Sequence, residues 1–392
     1  MADKGKPDLR ARWPESVSRP VATPLQPSVV YASADPDALD RQYEGQEKGY
    51  TYAREGHPNA EVLAGLIDRM EQASGGIVTS SGMAAVTLAL LSVLKAGDHA
   101  IGADQLYGRS LRLMTEELPA LGIETSFIDP TDVTAAEAAI RPNTRLILVE
   151  TVSNPTLRIA DLDGLIELAR RKNILVAVDN TFPTPRGVQP LTRGADIVLH
   201  SVTKLLAGHS DATLGYIVAR DPGLNDRFAA LGATLGVTPS PFDCWLAERG
   251  LYSFDLRYDK AAANALALSD TLAEIPGVKR VLYPGRHDHP DHNRASQLLG
   301  GEGGNMVSFE IAGGRDAANA FVRAAASLNF APTLGDIATT ISHPASSSHR
   351  RLTENERNAI GISEGFFRVS VGCEAEKPLL MTFADALKGL PG

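Results

Sequence analysis

Between residues 60 and 220, short apolar runs alternate with stretches whose apolar residues recur every three or four positions. That is the pattern of strands joined by crossover helices in a mostly parallel sheet. The runs predict strands over Ile77–Thr79, His99–Gly102, Glu124–Ile128, Leu146–Glu150, Leu175–Asp179, Ile197–His200 and Leu214–Ala219. Helices are predicted over Met83–Lys95, Ser110–Leu121, Ala135–Ile140 and Leu162–Lys172. The run from Leu175 to Val178 is continuous rather than alternating, as expected of a central strand covered by helices on both faces. The expected fold class is therefore α/β, with a doubly wound, mostly parallel sheet.

Ahead of this region Pro7, Pro14, Pro20, Pro24, Pro27 and Pro36 punctuate a polar segment with no sustained helical period, which predicts an extended N-terminal arm over residues 1–55. Beyond residue 240 a long helical stretch, Phe242–Ile275, and a punctuated loop, Tyr283–His292, mark a change of organisation. The expected division is the arm, a sheet domain over 56–245 and a smaller α+β C-terminal domain over 246–392.

Composition narrows the partners. Of 392 residues, 43% are apolar and 22% charged, which excludes a disordered, collagen-like or disulfide-stapled chain. A net charge of -9 argues against nucleic acid and anionic membranes and favours a small-molecule partner. Cys244 and Cys373 have no metal-ligand spacing and suggest no disulfide framework, which fits a reducing cytoplasm. The longest apolar run, Met83–Leu94, is too short to span a bilayer, and Met1–Pro20 is not expected to be a secretory signal.

In an open parallel sheet, ligands collect beyond the C-terminal ends of the strands, so the residues that follow each apolar run carry the chemistry. Ser80-Ser81-Gly82-Met83 joins a strand to a helix whose first N–H groups suit a phosphate, though Ser80 or Ser81 could equally be an ordinary N-cap. Asn154 follows the next strand end. Asp179 ends the buried run, where a carboxylate is costly unless it meets a positive partner such as a protonated ring nitrogen. The alternative is a structural Asp bonded to backbone amides. Ser201-Val202-Thr203-Lys204 places a lysine just past a strand, where partial burial would yield a usable amine. A phosphate nest, an aromatic at Tyr107, an Asn, an Asp and Ser-x-Thr-Lys are the parts that hold pyridoxal 5'-phosphate on a doubly wound sheet.

At these residues the sequence resembles the Cys/Met-metabolism (trans-sulfuration) family of fold type I pyridoxal-phosphate (PLP) enzymes, PLP-dependent transferases and lyases. The likeness runs from about residue 22 to 388 and is densest at Ser201–Lys204 with Gly208-His209-Ser210-Asp211, and at Gly365–Gly372. It implies that residues 56–245 bind PLP. Lys204 would bind the cofactor covalently and move protons, Asp179 would pair with the ring nitrogen, and Tyr107 would stack on the ring and act near the γ-leaving group. Ser81, Gly82, Met83, Ser201 and Thr203 would hold the phosphate. Asn154 would lie near the phenolic oxygen, and Arg368 would grip the substrate α-carboxylate, with Thr333 in the substrate pocket wall. Tyr52 and Arg54 resemble a Tyr-x-Arg pair that reaches the phosphate of a neighbouring subunit, so a homo-oligomer, by resemblance a tetramer of active-site pairs, is expected.

The implied activity is γ-replacement or γ-elimination on a γ-substituted L-homoserine-type amino acid. An O-acylhomoserine sulfhydrylase or γ-synthase using a thiol co-substrate is preferred, from Asp336 and from Ala338, where enzymes specific for cystathionine carry a glutamate. A γ-lyase that releases 2-oxobutanoate and ammonia is the alternative, supported by Gly208–Asp211. A non-catalytic protein that keeps the fold is the reading from another class. His57-Pro58-Asn59 and Arg109 depart from the family's usual residues. His287-Asp288-His289-Pro290-Asp291-His292 resembles packed metal ligands but coincides with a family segment, so no metal is expected. Gly300–Gly304 reads as a turn, and His343 and His349 as pocket wall.

Overall fold

The computed structural model describes residues 16–388; the first fifteen residues of the expected arm lie outside it. Seven strands make the large sheet: β1 Ile77–Thr79, β2 His99–Ala103, β3 Glu124–Ile128, β4 Thr144–Glu150, β5 Leu175–Asp179, β6 Ile197–His200 and β7 Gly215–Ala219. Their order is β1-β7-β6-β5-β4-β2-β3, with β7 antiparallel to both neighbours and the other pairs parallel. All seven expected strands form. Ala177 and Val178 in β5, and Leu146 to Val149 in β4, are fully or almost fully buried, because helices cover both faces.

Helix ends follow local chemistry. Helix Gly82–Val93 begins where the Ser81 hydroxyl accepts the Ala84 N–H at 3.1 Å. Helix Leu162–Lys172 starts at the Asp161 cap and stops at Asn173, which takes the left-handed conformation. Three expectations change. The helix expected over Ser110–Leu121 is interrupted by a π turn over Leu113–Glu117, next to Pro119, whose ring removes one backbone donor. The expected continuous helix Phe242–Ile275 is two helices, Pro241–Leu251 and Phe254–Ala273, broken at Tyr252-Ser253. The arm is not wholly irregular: Asp35 caps a helix over Pro36–Tyr43 with proline at its first position.

The second sheet has five strands, β8 Val278–Leu282, β9 Met306–Ile311, β10 Asn329–Phe330, β11 Thr340–Ser342 and β12 Phe366–Ser370, in the order β10-β11-β12-β9-β8. Its core centres on Phe309, Phe321, Phe367 and Phe383, whose rings pack edge-on or stacked at 4.9–6.3 Å between centroids. The two sheets divide the chain between Ala219 and Val278, and the division expected at 245/246 falls inside helix Pro241–Leu251. The units meet where the Ser308 hydroxyl of β9 donates to the carbonyl of Pro155, in the loop after β4, at 2.7 Å. Among the described residues no helix is long and apolar enough to cross a membrane.

Candidate active site

From β2 the chain moves outward to β3 and returns to β4 on the other side of β2, so the connections reverse at the β2/β4 crevice. Ligand sites in open α/β sheets form at such a reversal, beyond the strand C-termini. Tyr107 follows β2, Asn154 follows β4, Asp179 ends β5, and Ser201–Lys204 follows β6. From the second sheet, Arg368 of β12 reaches Asn154 at this crevice.

Lys204 and Arg368 meet there. The Lys204 ammonium lies 3.4 Å from the Thr333 hydroxyl. Burial, and then the positive charge of Arg368, lower its pKa below that of an ordinary lysine. Arg368 comes from β12 and is buried. Its Nη1 donates to Asn154 Oδ1 at 2.7 Å and its Nη2 to the Thr333 carbonyl at 2.8 Å, while Nε is buried with no partner. Burial pushes the guanidinium down to about 10. An unpartnered N–H on a buried cation is costly unless a ligand fills it.

Asp179 lies partly open to the cleft, and burial of its carboxyl raises its pKa. Its Oδ1 accepts both the N–H and the hydroxyl of Thr181, and the Thr181 oxygen in turn accepts the Ser201 N–H at 2.9 Å. These bonds, with the nearby His200, favour the charged form. The other Asp179 oxygen takes neither Thr181 donor. The sequence signal for Thr181 is its place two residues beyond Asp179, where an Asx-type bond forms.

Ser81, Gly82, Met83, Ser201 and Thr203 are all partly exposed. A Cβ on Gly82 would lie 2.8 Å from Ser201 Cβ, so glycine is what lets the helix N-terminus approach the β6 loop. The N–H groups of Gly82 and Met83, in the first turn, have no intrahelical acceptor by position. The Ser81 hydroxyl is engaged as the cap, and the Thr203 hydroxyl donates to the Leu214 carbonyl at 3.1 Å and accepts the Leu214 N–H at 2.9 Å. The donor set fits PLP: a low-pKa amine for its aldehyde, a carboxylate for its ring nitrogen, free N–H groups for its phosphate and an orphaned guanidinium N–H for a carboxylate.

Tyr107 is 41% exposed and lies near Arg368. Tyr52 and Arg54 lie elsewhere. They line an open cleft of about 500 Å³ with Leu25, Val29, Pro239 and Phe242, and none of the other candidate residues borders it. The Arg54 guanidinium sits 5.0 Å from the Tyr52 ring centroid and, among the described residues, pairs only with the adjacent, exposed Glu55.

The departures have local explanations. His57 caps helix Pro58–Glu71, accepting the Ala60 N–H at Nδ1 and contacting the Pro239 carbonyl at Nε2. Asp336 accepts the Ser210 hydroxyl and the Ala338 N–H, so the two segments that pointed to different activities form one wall. His349 is buried beside Arg368 and Arg357, and burial first, then those charges, lower it to about 4. His343 uses both ring nitrogens, on Ser346 and the Glu364 carbonyl. Asp291 is engaged by Arg158 and the Ile159 N–H, and among the described residues no three potential ligands cluster as a metal site. Gly300–Gly304 runs into β9, with no helix after it.

Residues 11–388 match the family profile described as Cys/Met metabolism PLP-dependent enzyme. The chain is 39% identical to a cystathionine gamma-lyase of Bacillus subtilis, over 88% of this chain and 90% of that one. It is 37% identical to an O-succinylhomoserine sulfhydrylase of Pseudomonas aeruginosa, over 93% and 89%. A crystal structure of cystathionine gamma synthase from Xanthomonas oryzae pv. oryzae, in complex with aminoacrylate and cysteine, superposes with a TM-score of 0.88 at 36% identity, covering 94% and 92%. A candidate O-acetylhomoserine (thiol)-lyase of Campylobacter jejuni, solved with N'-pyridoxyl-lysine-5'-monophosphate, superposes at 0.90 with 27% identity, covering 97% and 98%. The chain belongs to the Cys/Met-metabolism family of PLP-dependent enzymes, and its cofactor is PLP.

Proposed function

We propose that this enzyme carries out γ-replacement on an O-acylated L-homoserine, with a thiol as acceptor, and γ-elimination to 2-oxobutanoate and ammonia when no acceptor is present. The observation that carries the reading is the network in which Arg368 holds Asn154 and the Thr333 carbonyl while the Thr333 hydroxyl meets the Lys204 amine. Bound PLP supplies an electron sink for the negative charge that develops at Cα and Cβ of the amino acid.

The chain's own residues do the rest. Arg368 would take the α-carboxylate, Nε included, in an orientation that Asn154 and the Thr333 carbonyl set before substrate arrives. Lys204, its proton loosened by burial and Arg368, would remove the Cα proton and return it to carbon. Asp179 would hold the proton on the ring nitrogen, with Thr181 keeping the carboxylate charged. Tyr107 would cover the ring and act near the γ-substituent. The N–H groups of Gly82 and Met83, with the Ser201 hydroxyl, would bind the phosphate; the Thr203 hydroxyl would have to leave Leu214 to join them.

Ala338 supports an O-acylhomoserine rather than cystathionine as substrate, since it offers no carboxylate to the distal ammonium of cystathionine. Asp336 does not replace that carboxylate, because Ser210 and the Ala338 N–H already engage it. The likeness to the Bacillus subtilis cystathionine gamma-lyase supports the elimination branch of the same chemistry as the second reading.

The exposed arm supports a homo-oligomer in which Tyr52 and Arg54 serve a neighbouring subunit's phosphate. Two unpaired cysteines, Cys244 and Cys373, support a cytoplasmic enzyme. The deciding experiment offers O-acetylhomoserine, O-succinylhomoserine, cystathionine and methionine, each with and without a thiol, and assays both 2-oxobutanoate and the replacement product. The expected result is thioether formation from an acylhomoserine. Turnover of β-substituted substrates alone, with pyruvate as product, would sink the reading.

A further inference from the structure

Glu150 is the last residue of β4 and stands opposite Asp179, the last residue of β5, in parallel register. Register partners on parallel strands project to the same face, about 4.8 Å apart, so two carboxyl groups meet at the floor of the cleft. Glu150 is only 8% exposed. Its Oε1 accepts the backbone N–H of Tyr107 at 2.5 Å, and the backbone N–H of Asn154 faces the same carboxyl. Tyr107 belongs to the loop after β2 and Asn154 to the loop after β4, so this one carboxyl ties together the two banks of the β2/β4 crevice.

The two carboxyls are supported differently. Asp179 receives the Thr181 N–H and hydroxyl and faces His200 from the end of β6. Glu150 receives only backbone N–H groups and faces Asp179. Two carboxylates this close do not both ionise without a large penalty. Burial first, and then the Asp179 charge, hold Glu150 well above the usual carboxylate range and outweigh the two N–H bonds.

We propose that Glu150 is a positioning residue of this site, whose carboxyl anchors the Tyr107 loop to the end of β4 at the cleft floor, opposite Asp179. The inference rests on the reading that Tyr107 covers and Asp179 underlies the cofactor ring. A neutral carboxyl has an O–H to direct at Asp179, which an ionised one lacks. Tyr107 is thereby held at its backbone N–H.

The test compares Glu150→Gln, Glu150→Asp and Glu150→Ala with the wild type. PLP affinity is measured by titrating the stripped protein, and the visible band of the loaded protein is followed from pH 6 to 10. Kinetic constants and thermal melting are recorded beside them. Glutamine keeps an acceptor for the Tyr107 N–H and a donor for Asp179, so affinity and the pH course of the band should return to within about threefold of wild type. Alanine should weaken PLP binding about tenfold or more and lower kcat more than it raises KM, as expected when reacting groups are misplaced. Aspartate, too short to reach Tyr107 from the same Cα, should resemble alanine and gives the answer if alanine does not fold. Glutamine failing as badly as alanine, or aspartate matching the wild type, would overturn the inference. Loading of wild type and loss of the band in Lys204→Ala test the underlying reading separately, so a failed Glu150→Gln beside a loaded wild type counts against Glu150 alone.

Discussion

Lys204 is held beside Arg368 in a partly buried cleft, and both effects lower its pKa below the ordinary lysine value. In the stripped protein the folded state therefore binds the Lys204 proton more weakly than the unfolded chain does. The cost to stability is full below the lowered folded pKa, shrinks as pH rises toward about 10.4, and is gone above it. Lys204→Met removes the charge at similar length, so the stripped variant should melt about 2 °C higher than stripped wild type at pH 7. The gap should close toward pH 10.5. A variant that melts lower at pH 7, or a gap unchanged with pH, would contradict the assignment. Residue identity made Lys204 and Asp179 legible in the sequence, because a cation or carboxylate at a strand end demands a partner, whereas Arg368, in the middle of β12, was legible only through the family resemblance. Thr181 and Glu150 stand at the same strand ends, but their parts depend on which loop folds back onto them. That is information of register and crossover, which no residue carries alone.

At the scale of elements, the break between helices Pro241–Leu251 and Phe254–Ala273 bears on Lys204. Arg257, in the first turn of the second helix and buried, donates to the carbonyls of Leu205 and Leu206 at 2.8 and 3.0 Å and to Gly250 at 2.9 Å. One side chain thus clamps the backbone just beyond Lys204 against the end of the first helix. Arg257→Met leaves those carbonyls without their donors and should cost about 3 kcal/mol of stability. Denaturant unfolding would measure it, and PLP affinity should fall as the Lys204 loop loosens. Unchanged stability and affinity would show that the clamp is idle. The seven strands of the large sheet were legible because buried apolar runs announce themselves. This break was not, since the apolar spacing of Phe242–Ile275 continues across Tyr252-Ser253. Helix Pro36–Tyr43 was hidden for a related reason: its Asp35-Pro36 start resembles the surrounding turns, and only Ala38 in it is buried.

On the scale of the whole molecule, a single chain leaves much apolar surface uncovered around the arm. Val17 and Val21 are fully exposed, and Val29, Val30, Tyr43 and Phe242 are more than half exposed. Val29 and Phe242 line the cleft that Arg54 borders, and exposed apolar residues gathered in this way usually mark an interface. Arg54 borders the arm's cleft rather than the crevice that holds Lys204. If Arg54 completes a neighbour's phosphate site, Arg54→Ala and Lys204→Ala are each inactive, yet complement each other. A mixed dimer pairs the intact Lys204 of one subunit with the intact Arg54 of the other at one of its two sites. Random reassortment makes half the dimers mixed, so activity should recover to about a quarter of wild type. The measurement is turnover after the two variants are unfolded and refolded together, against each refolded alone. Recovery would require that arms cross between subunits in a closed, symmetric pair. An inactive mixture that has demonstrably exchanged subunits would place Arg54 at its own chain's site, or at none, and would reduce the arm to a packing element.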